Sequence, residues 1–125
     1  ARQARILVID DEDSVRDILS RMLKTKGHKV VVAPNGEEGI ERFRSEPFDL
    51  VFTDLGMPKL SGWDVGKTIK RISPKTPIAM ITGWGVELDR EKLNESGIDL
   101  IISKPFNFDQ VIDLVSEAME LKERM

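Results

Sequence analysis

Four consecutive carboxylates, Asp10, Asp11, Glu12 and Asp13, close the stretch VIDDED at residues 8–13. Two carboxylates about 5 Å apart repel by roughly 3 kcal/mol at an effective dielectric near 20, so a fold that gathers them needs a cation among them or an outlet into water. Three further residues extend the chemistry: Asp54, Thr82 and Lys104, each at the end of a later apolar run. An acid pair suits a hard divalent cation, which takes oxygen ligands from one or two carboxylates and keeps water for a phosphorylated substrate. A carboxylate held beside such a cation can attack phosphorus and become an aspartyl phosphate. With Asp10 and Asp11 as the natural metal ligands, Asp54 is left as the attacking group. Lys104 would then pair with phosphoryl oxygens, and the Thr82 hydroxyl would donate a hydrogen bond to them. Singly, each residue has a bland explanation, because strands leave a sheet through turns that favour Asp, Thr and Lys. Jointly, on one edge of one sheet, that explanation weakens.

The elements that must position these residues are readable from the apolar pattern. Five β-rich runs recur, RILVID, HKVVVA, DLVFTD, PIAMIT and DLIISK, each nearly continuous in apolar character, as strands buried on both faces should be. Helical spacing fills the gaps. Val15, Ile18, Leu19, Met22 and Leu23 follow Ser14, which with Asp17 spells an S-x-x-D capping box, and Gly27 closes the segment. Ile40 and Phe43 mark a second helix, and Val65, Ile69 and Ile72 share one face of a third that runs from Ser61. Asn107, with Gln110 three residues on, opens a fifth. The fourth, over about Glu87 to Ser96, offers only Leu88 and Leu93 as anchors and is expected to be the least firmly packed. Strand and helix alternating with short connections imply an α/β fold with a parallel, doubly wound sheet of five strands. Ligands of such sheets bind beyond the carboxyl ends of the strands, where Asp10, Asp11, Asp54, Thr82 and Lys104 all fall.

Composition narrows the field. The 125 residues make one domain, with 40% hydrophobic content to fill a core. A net charge of −3 gives no basic footprint, which argues against direct binding of nucleic acid. Zero cysteines exclude a disulfide framework and a thiolate metal site and suit a reducing, cytoplasmic compartment. The longest apolar runs, such as ILVI and IAMI, fall far short of the roughly 20 residues that membrane insertion requires. The chain opens on Ala1 rather than Met, as a processed chain or an excised piece of a longer one would.

In order and spacing, the acid pair in VIDDE, Asp54 in TDLGMPKLSG, the hydroxyl in ITG and the lysine in SKPF resemble the receiver domain of two-component response regulators. The resemblance covers the whole chain, residues 1–125, as a single receiver domain. It implies a flavodoxin-like (βα)5 fold of strand order 2-1-3-4-5, with Mg²⁺ or Mn²⁺ held by Asp10, Asp11, Asp54 and the backbone carbonyl of Gly56. It also implies a cis peptide between Lys104 and Pro105, against about 5% for X-Pro bonds generally. The implied activity is that of a signalling phosphoacceptor, an enzyme only toward its own phosphorylation and dephosphorylation. A sensor histidine kinase or phosphotransfer protein would deliver the phosphoryl group to Asp54, docking on Ser14, Val15, Ile18, Pro105 and Phe106. The surface of helix 4, strand 5 and helix 5 would address a fused or separate effector. One departure stands out: the family usually carries Tyr or Phe three positions before the lysine, as the partner of Thr82 in switching, and here that residue is Ile101. Trp84, two residues past Thr82, is the alternative gate or reporter.

Bland roles suit the rest: His28 reads as a surface or packing residue, Trp63 as a surface aromatic, and LDREKLNES as a solvated helix face. Rival functions fit worse. Asp11 and Asp13 with Val15 match the D-x-D-x-[VT] nucleophile pattern of haloacid-dehalogenase-type phosphatases, but no strand with a further acidic pair follows Lys104, and a cap domain has no room. A flavin carrier on the same fold needs a Ser, Thr and Gly-rich phosphate loop where this chain has DDEDS. A degenerate receiver serving purely as a binding module would not need the full acidic set.

Overall fold

The computed structural model describes residues 3–124. Five strands, β1 (Arg5–Ile9), β2 (Lys29–Ala33), β3 (Leu50–Asp54), β4 (Ile78–Thr82) and β5 (Leu100–Ser103), alternate with five helices. These are α1 (Asp13–Thr25), α2 (Gly36–Ser45), α3 (Gly62–Ile72), α4 (Arg90–Ser96) and α5 (Phe108–Arg124). The strands are parallel in the order 2-1-3-4-5, as expected of the flavodoxin-like arrangement.

Period-two alternation splits the core into two layers. Ile6, Val8, Leu50, Phe52, Ala79 and Ile81 face α1 and α5, whereas Leu7, Ile9, Val51 and Ile78 face α2 and α3. Burial on both faces holds for β1, β3 and β4 only. The edge strands leave Val32 and Ile101 each 41% exposed, because a terminal strand has a neighbour on one side alone.

Helix starts follow capping chemistry with one correction. Asn35, Ser61 and Asn107 accept from backbone N–H groups three residues on, and Ser61 with Asp64 completes a capping box. Asn107 and Gln110 bond reciprocally, as their spacing suggests. Ser14 is not a cap. Helix α1 begins two residues earlier than a Ser14 cap would set it, with Glu12 at the N-cap position and no side-chain cap bond, and Asp17 turns to Arg21 at 3.3 Å instead. Ile72, at the end of α3, leaves its expected face and is 42% exposed; Ile18 on α1, expected both in the apolar stripe and among the docking residues, is 48% exposed. Helix α4 is only seven residues long, with Ser96 as its sole buried residue and Gly97 closing it in the left-handed conformation at φ 75°. The weak anchoring read from Leu88 and Leu93 is matched by their half-buried positions.

Gly62 ties the fold to the edge that matters chemically. Its N–H donates to the Leu55 carbonyl at 2.8 Å, and a Cβ there would stand 2.5 Å from the Asp54 carbonyl oxygen and 3.0 Å from Leu55 Cα. Both obstacles are backbone, so neither can rotate away. Gly62→Ala is expected to destabilise the protein by about 1–3 kcal/mol. In a urea titration the midpoint should fall with the slope unchanged; a parental midpoint would show that the β3–α3 connection can yield.

Candidate functional site

Strand register brings the chemical residues to one edge. Asp10 follows β1, Asp54 ends β3 in register with Ile81, Thr82 ends β4 in register with Ser103, and Lys104 follows β5. Backbone bonds fasten the rim: Asp10 N–H to Ala33 at 3.2 Å, Leu55 N–H to Ile81 at 3.1 Å and Lys104 N–H to Thr82 at 2.8 Å. The Lys104–Pro105 peptide is cis.

A cation sits among the acids, and it is a side chain. Lys104 Nζ lies 3.0 Å from Glu12 Oε1, 3.4 Å from Asp54 Oδ1 and 3.6 Å from Asp10 Oδ2. Glu12 therefore belongs to the cluster and does not simply lead out to the helix; the contact spans 92 residues, so no local pattern announces it. Asp10 is fully buried and accepts the Glu12 N–H on Oδ1 at 2.9 Å. Asp11 and Asp13 point into exposed positions, with Asp13 paired to Arg16. Arg16 also donates to the Asp10 carbonyl at 2.6 Å, a role that only its i, i+3 spacing from Asp13 hints at. Gly56 is exposed in the loop after β3.

The electrostatics follow from burial. Desolvation, partly offset by the Glu12 N–H and added to by the charge of Asp54, raises the Asp10 pKa from its ordinary 3.8 to about 6. Burial likewise raises Asp54, against the pull of Lys104 and with a push from Asp11. Burial alone would lower Lys104, but the Glu12 hydrogen bond and the charges of Asp10, Asp54 and Glu12 outweigh it and raise the ammonium pKa. Among the described residues, Asp10 Oδ2 is the buried side-chain polar atom left with no hydrogen-bond partner. Carboxylate oxygens of Asp10, Asp11 and Glu12 also come within 4.8 Å of one another. A buried oxygen with no donor beside a set of hard oxygen ligands fits a divalent cation.

Asp10 gives a pH prediction. Its folded pKa lies above the unfolded value, so its contribution to stability is full below pH 3.8 and is lost as pH rises through about 6. Asp10→Asn, which does not titrate, is expected to be more stable than the metal-free parent at pH 7 by about 1–3 kcal/mol. The advantage should shrink toward pH 4. Denaturation at pH 4, 5.5 and 7 without added metal checks this; an equal difference at all three would remove Asp10 as its source.

The other expected residues sit around this centre. Thr82 is buried, and its hydroxyl shares a 3.3 Å hydrogen bond with Ser103, a partner that the shared register of the two strand ends brings alongside. Trp84 is 85% exposed and, with Ile101, Ile102, Pro105 and Leu114, borders a groove of about 500 Å³ beside Lys104. Phe106 is half-buried against the α1–α5 core, Pro105 and Ser14 are exposed, and Val15 is half-buried. Trp63 is half-buried on α3. His28 has a packing role: its Nδ1 accepts the Ala4 N–H at 3.0 Å, and burial lowers its pKa. Among the described residues no helix is long and apolar enough to cross a membrane.

The family model for the response regulator receiver domain matches residues 6–116. A probable transcriptional regulator, ycf27, of Porphyra purpurea is 42% identical over 106 residues, covering 85% of this chain and 43% of that protein. The alkaline phosphatase synthesis transcriptional regulatory protein PhoP of Bacillus subtilis is 36% identical over 103 residues, covering 82% and 43%. The chain thus spans less than half the length of these curated relatives. Among solved structures, a receiver domain protein from Clostridium thermocellum superposes with a TM-score of 0.87 at 33% identity, over 96% of this chain and 97% of that one. The chemotaxis protein CheY4 of Vibrio cholerae superposes at 0.84 with 28% identity, over 94% and 99%.

Proposed function

Because this chain belongs to the response regulator receiver domain family, we propose that Asp54 is its phosphoacceptor and that the chain is a single receiver domain working in a two-component system or phosphorelay. The observation that carries the reading is the ammonium of Lys104, within 3.6 Å of the carboxylates of Asp10, Glu12 and Asp54 at the carboxyl edge of the sheet. An Asp54 oxygen attacks the phosphorus of a phosphohistidine; the P–N bond breaks, and its electron pair stays on the imidazole nitrogen. Lys104 then donates to the phosphoryl oxygens, and the Thr82 hydroxyl leaves Ser103 to do the same. Asp10, Asp11, Asp54 and the carbonyl of Gly56 would hold Mg²⁺ or Mn²⁺, which supplies positive charge for the transferring group. The chain is an enzyme only toward its own phosphorylation and dephosphorylation.

The donor is a sensor histidine kinase or a phosphotransfer protein. Its docking surface is Ser14, Val15, Ile18, Pro105 and Phe106, a reading supported by the exposure of Ile18, which the alternative of a helix burying all its apolar residues does not explain. Movement of Thr82 shifts the loop that carries Trp84 and then α4, the element with the fewest buried anchors. With Ile101 in the usual aromatic position and exposed, the signal passes through this loop, and Trp84 takes the part of gate or reporter. The altered surface of α4, β5 and α5 addresses an effector, fused or separate, in the cytoplasm. The transcriptional role named for the curated relatives supports an output of that kind.

The test is chemical mapping. After incubation with Mg²⁺ and acetyl phosphate, where a P–O bond breaks and acetate leaves, one hydroxylamine-labile phosphoryl group should appear. Borohydride reduction followed by peptide mass spectrometry should place it at Asp54. An adduct at any other residue, or none, would overturn the assignment.

A further inference from the structure

We propose that Glu12 is a positioning residue for Lys104, holding the ammonium group in a resting place from which phosphorylation of Asp54 must withdraw it. The inference rests on the reading of Asp54 as phosphoacceptor. Of the three carboxylates around Nζ, Glu12 makes the shortest contact, a hydrogen bond of 3.0 Å. Asp54 and Asp10 stand farther from it, at 3.4 and 3.6 Å.

With no metal bound, the side chain of Glu12 has no other polar contact to satisfy within its own helix. It stands at the N-cap of α1 yet makes no capping bond, although capping is the ordinary reason for a polar residue there. The nearest cation on the same helix is occupied as well, since Arg16 is committed to Asp13 and to the Asp10 carbonyl. The Glu12 backbone, in turn, is tied to the floor of the site by its N–H bond to Asp10 Oδ1. Its carboxylate is therefore fixed at one end and free to reach Lys104 at the other. A long lysine side chain loses up to about 2 kcal/mol of rotamer freedom when it is pinned, and a charge-assisted bond offsets that loss.

In the resting protein this arrangement draws the ammonium toward Glu12 and away from the place where phosphoryl oxygens arrive. A dianionic phosphoryl group on Asp54 competes for the same ammonium and wins by charge. Glu12 thus restrains the forward reaction, and its length matters as much as its charge.

Two substitutions separate length from charge. Glu12→Gln keeps the reach and removes the charge; Glu12→Asp keeps the charge and shortens the reach by one methylene. Both are expected to speed acetyl phosphate labelling about three- to tenfold, the size of one ordinary solvent-exposed hydrogen bond. Glu12→Asp at the parental rate would show that charge repulsion of the donor is the whole effect and would overturn the proposal, as would Glu12→Gln at or below the parental rate. A second measurement needs neither metal nor phosphodonor: acetylation of Lys104 by N-hydroxysuccinimide acetate, followed by peptide mass spectrometry. Lys104 should react at least about threefold faster in both variants, with the 82% exposed Lys59 as an unchanged reference. An unchanged Lys104 rate would overturn the holding contact. A parent that takes no phosphoryl group while Lys104 acetylation responds as stated would overturn the phosphoacceptor reading and leave the contact standing.

Discussion

An Asp54→Asn variant is expected to take up no phosphoryl group from acetyl phosphate in Mg²⁺ and to unfold at a higher temperature than the metal-free parent at pH 7. The first effect is chemical, because an amide lacks the anionic oxygen that attacks phosphorus. The second is electrostatic. Asp54 is 8% exposed, and burial raises its pKa despite Lys104 nearby, so the ionised form is disfavoured inside the fold. A carboxylate whose folded pKa lies above its unfolded value gives its full stabilisation below pH 3.8 and loses it as pH rises through the folded pKa. Asparagine does not titrate, so its advantage should be present at pH 7 and fade toward pH 4. Intact-mass analysis reads the first effect and thermal unfolding at the two pH values reads the second. Phosphorylation of the variant would move the nucleophile elsewhere, and a lower melting temperature at pH 7 would mean that the Lys104 pair outweighs desolvation.

Replacing Lys104 by Met should act in the opposite direction on stability and cost about 10²- to 10³-fold in phosphorylation rate, the usual loss when one preorganised charge-stabilising donor is removed. Methionine keeps an unbranched apolar stem of similar length and deletes only the ammonium. Asp10, Glu12 and Asp54 then face one another with no internal cation, so the metal-free variant should be less stable than the parent at pH 7. Acid should restore it, because protonating the raised carboxylates removes the repulsion; the parent Asp10 titrates at about 6. Millimolar Mg²⁺ should restore it as well, by linkage to the folded state. The measurements are rapid-quench labelling with acetyl phosphate and melting curves at pH 5 and pH 7, with and without Mg²⁺. A variant with parental rate and parental stability would remove Lys104 from the site altogether.

Both predictions express one property of this edge of the sheet. Three carboxylates, two of them buried, are assembled around a single ammonium, so the resting site is held in a state that removal of an acid relieves and removal of the lysine worsens. The surrounding fold can bear that cost because the three inner strands are almost entirely apolar and the rim is fastened by backbone bonds from Asp10, Leu55 and Lys104. Gly62 belongs to the same economy of space, since α3 starts against the backbone of Asp54 with no room for a β-carbon.

Much of this was legible in one dimension because its causes are local. Apolar runs at strand length, helical spacing between them and the caps at Asn107 and Gln110 depend on neighbours a few residues away, and they placed Asp10, Asp54, Thr82 and Lys104 at strand ends. What only the tertiary structure decided involves partners far apart in the chain. The S-x-x-D pattern at Ser14 was overridden, with α1 entered two residues earlier while Glu12 turned to a lysine 92 positions away. Of two adjacent aspartates, Asp10 became fully buried and Asp11 exposed, because Asp10 is still tied to the sheet by its N–H bond to Ala33 whereas Asp11 has passed into the turn. Val32 and Ile101 read as strand-core residues by type and pattern, yet they are exposed because apolar character says that a residue can be buried and not whether a neighbour exists to bury it.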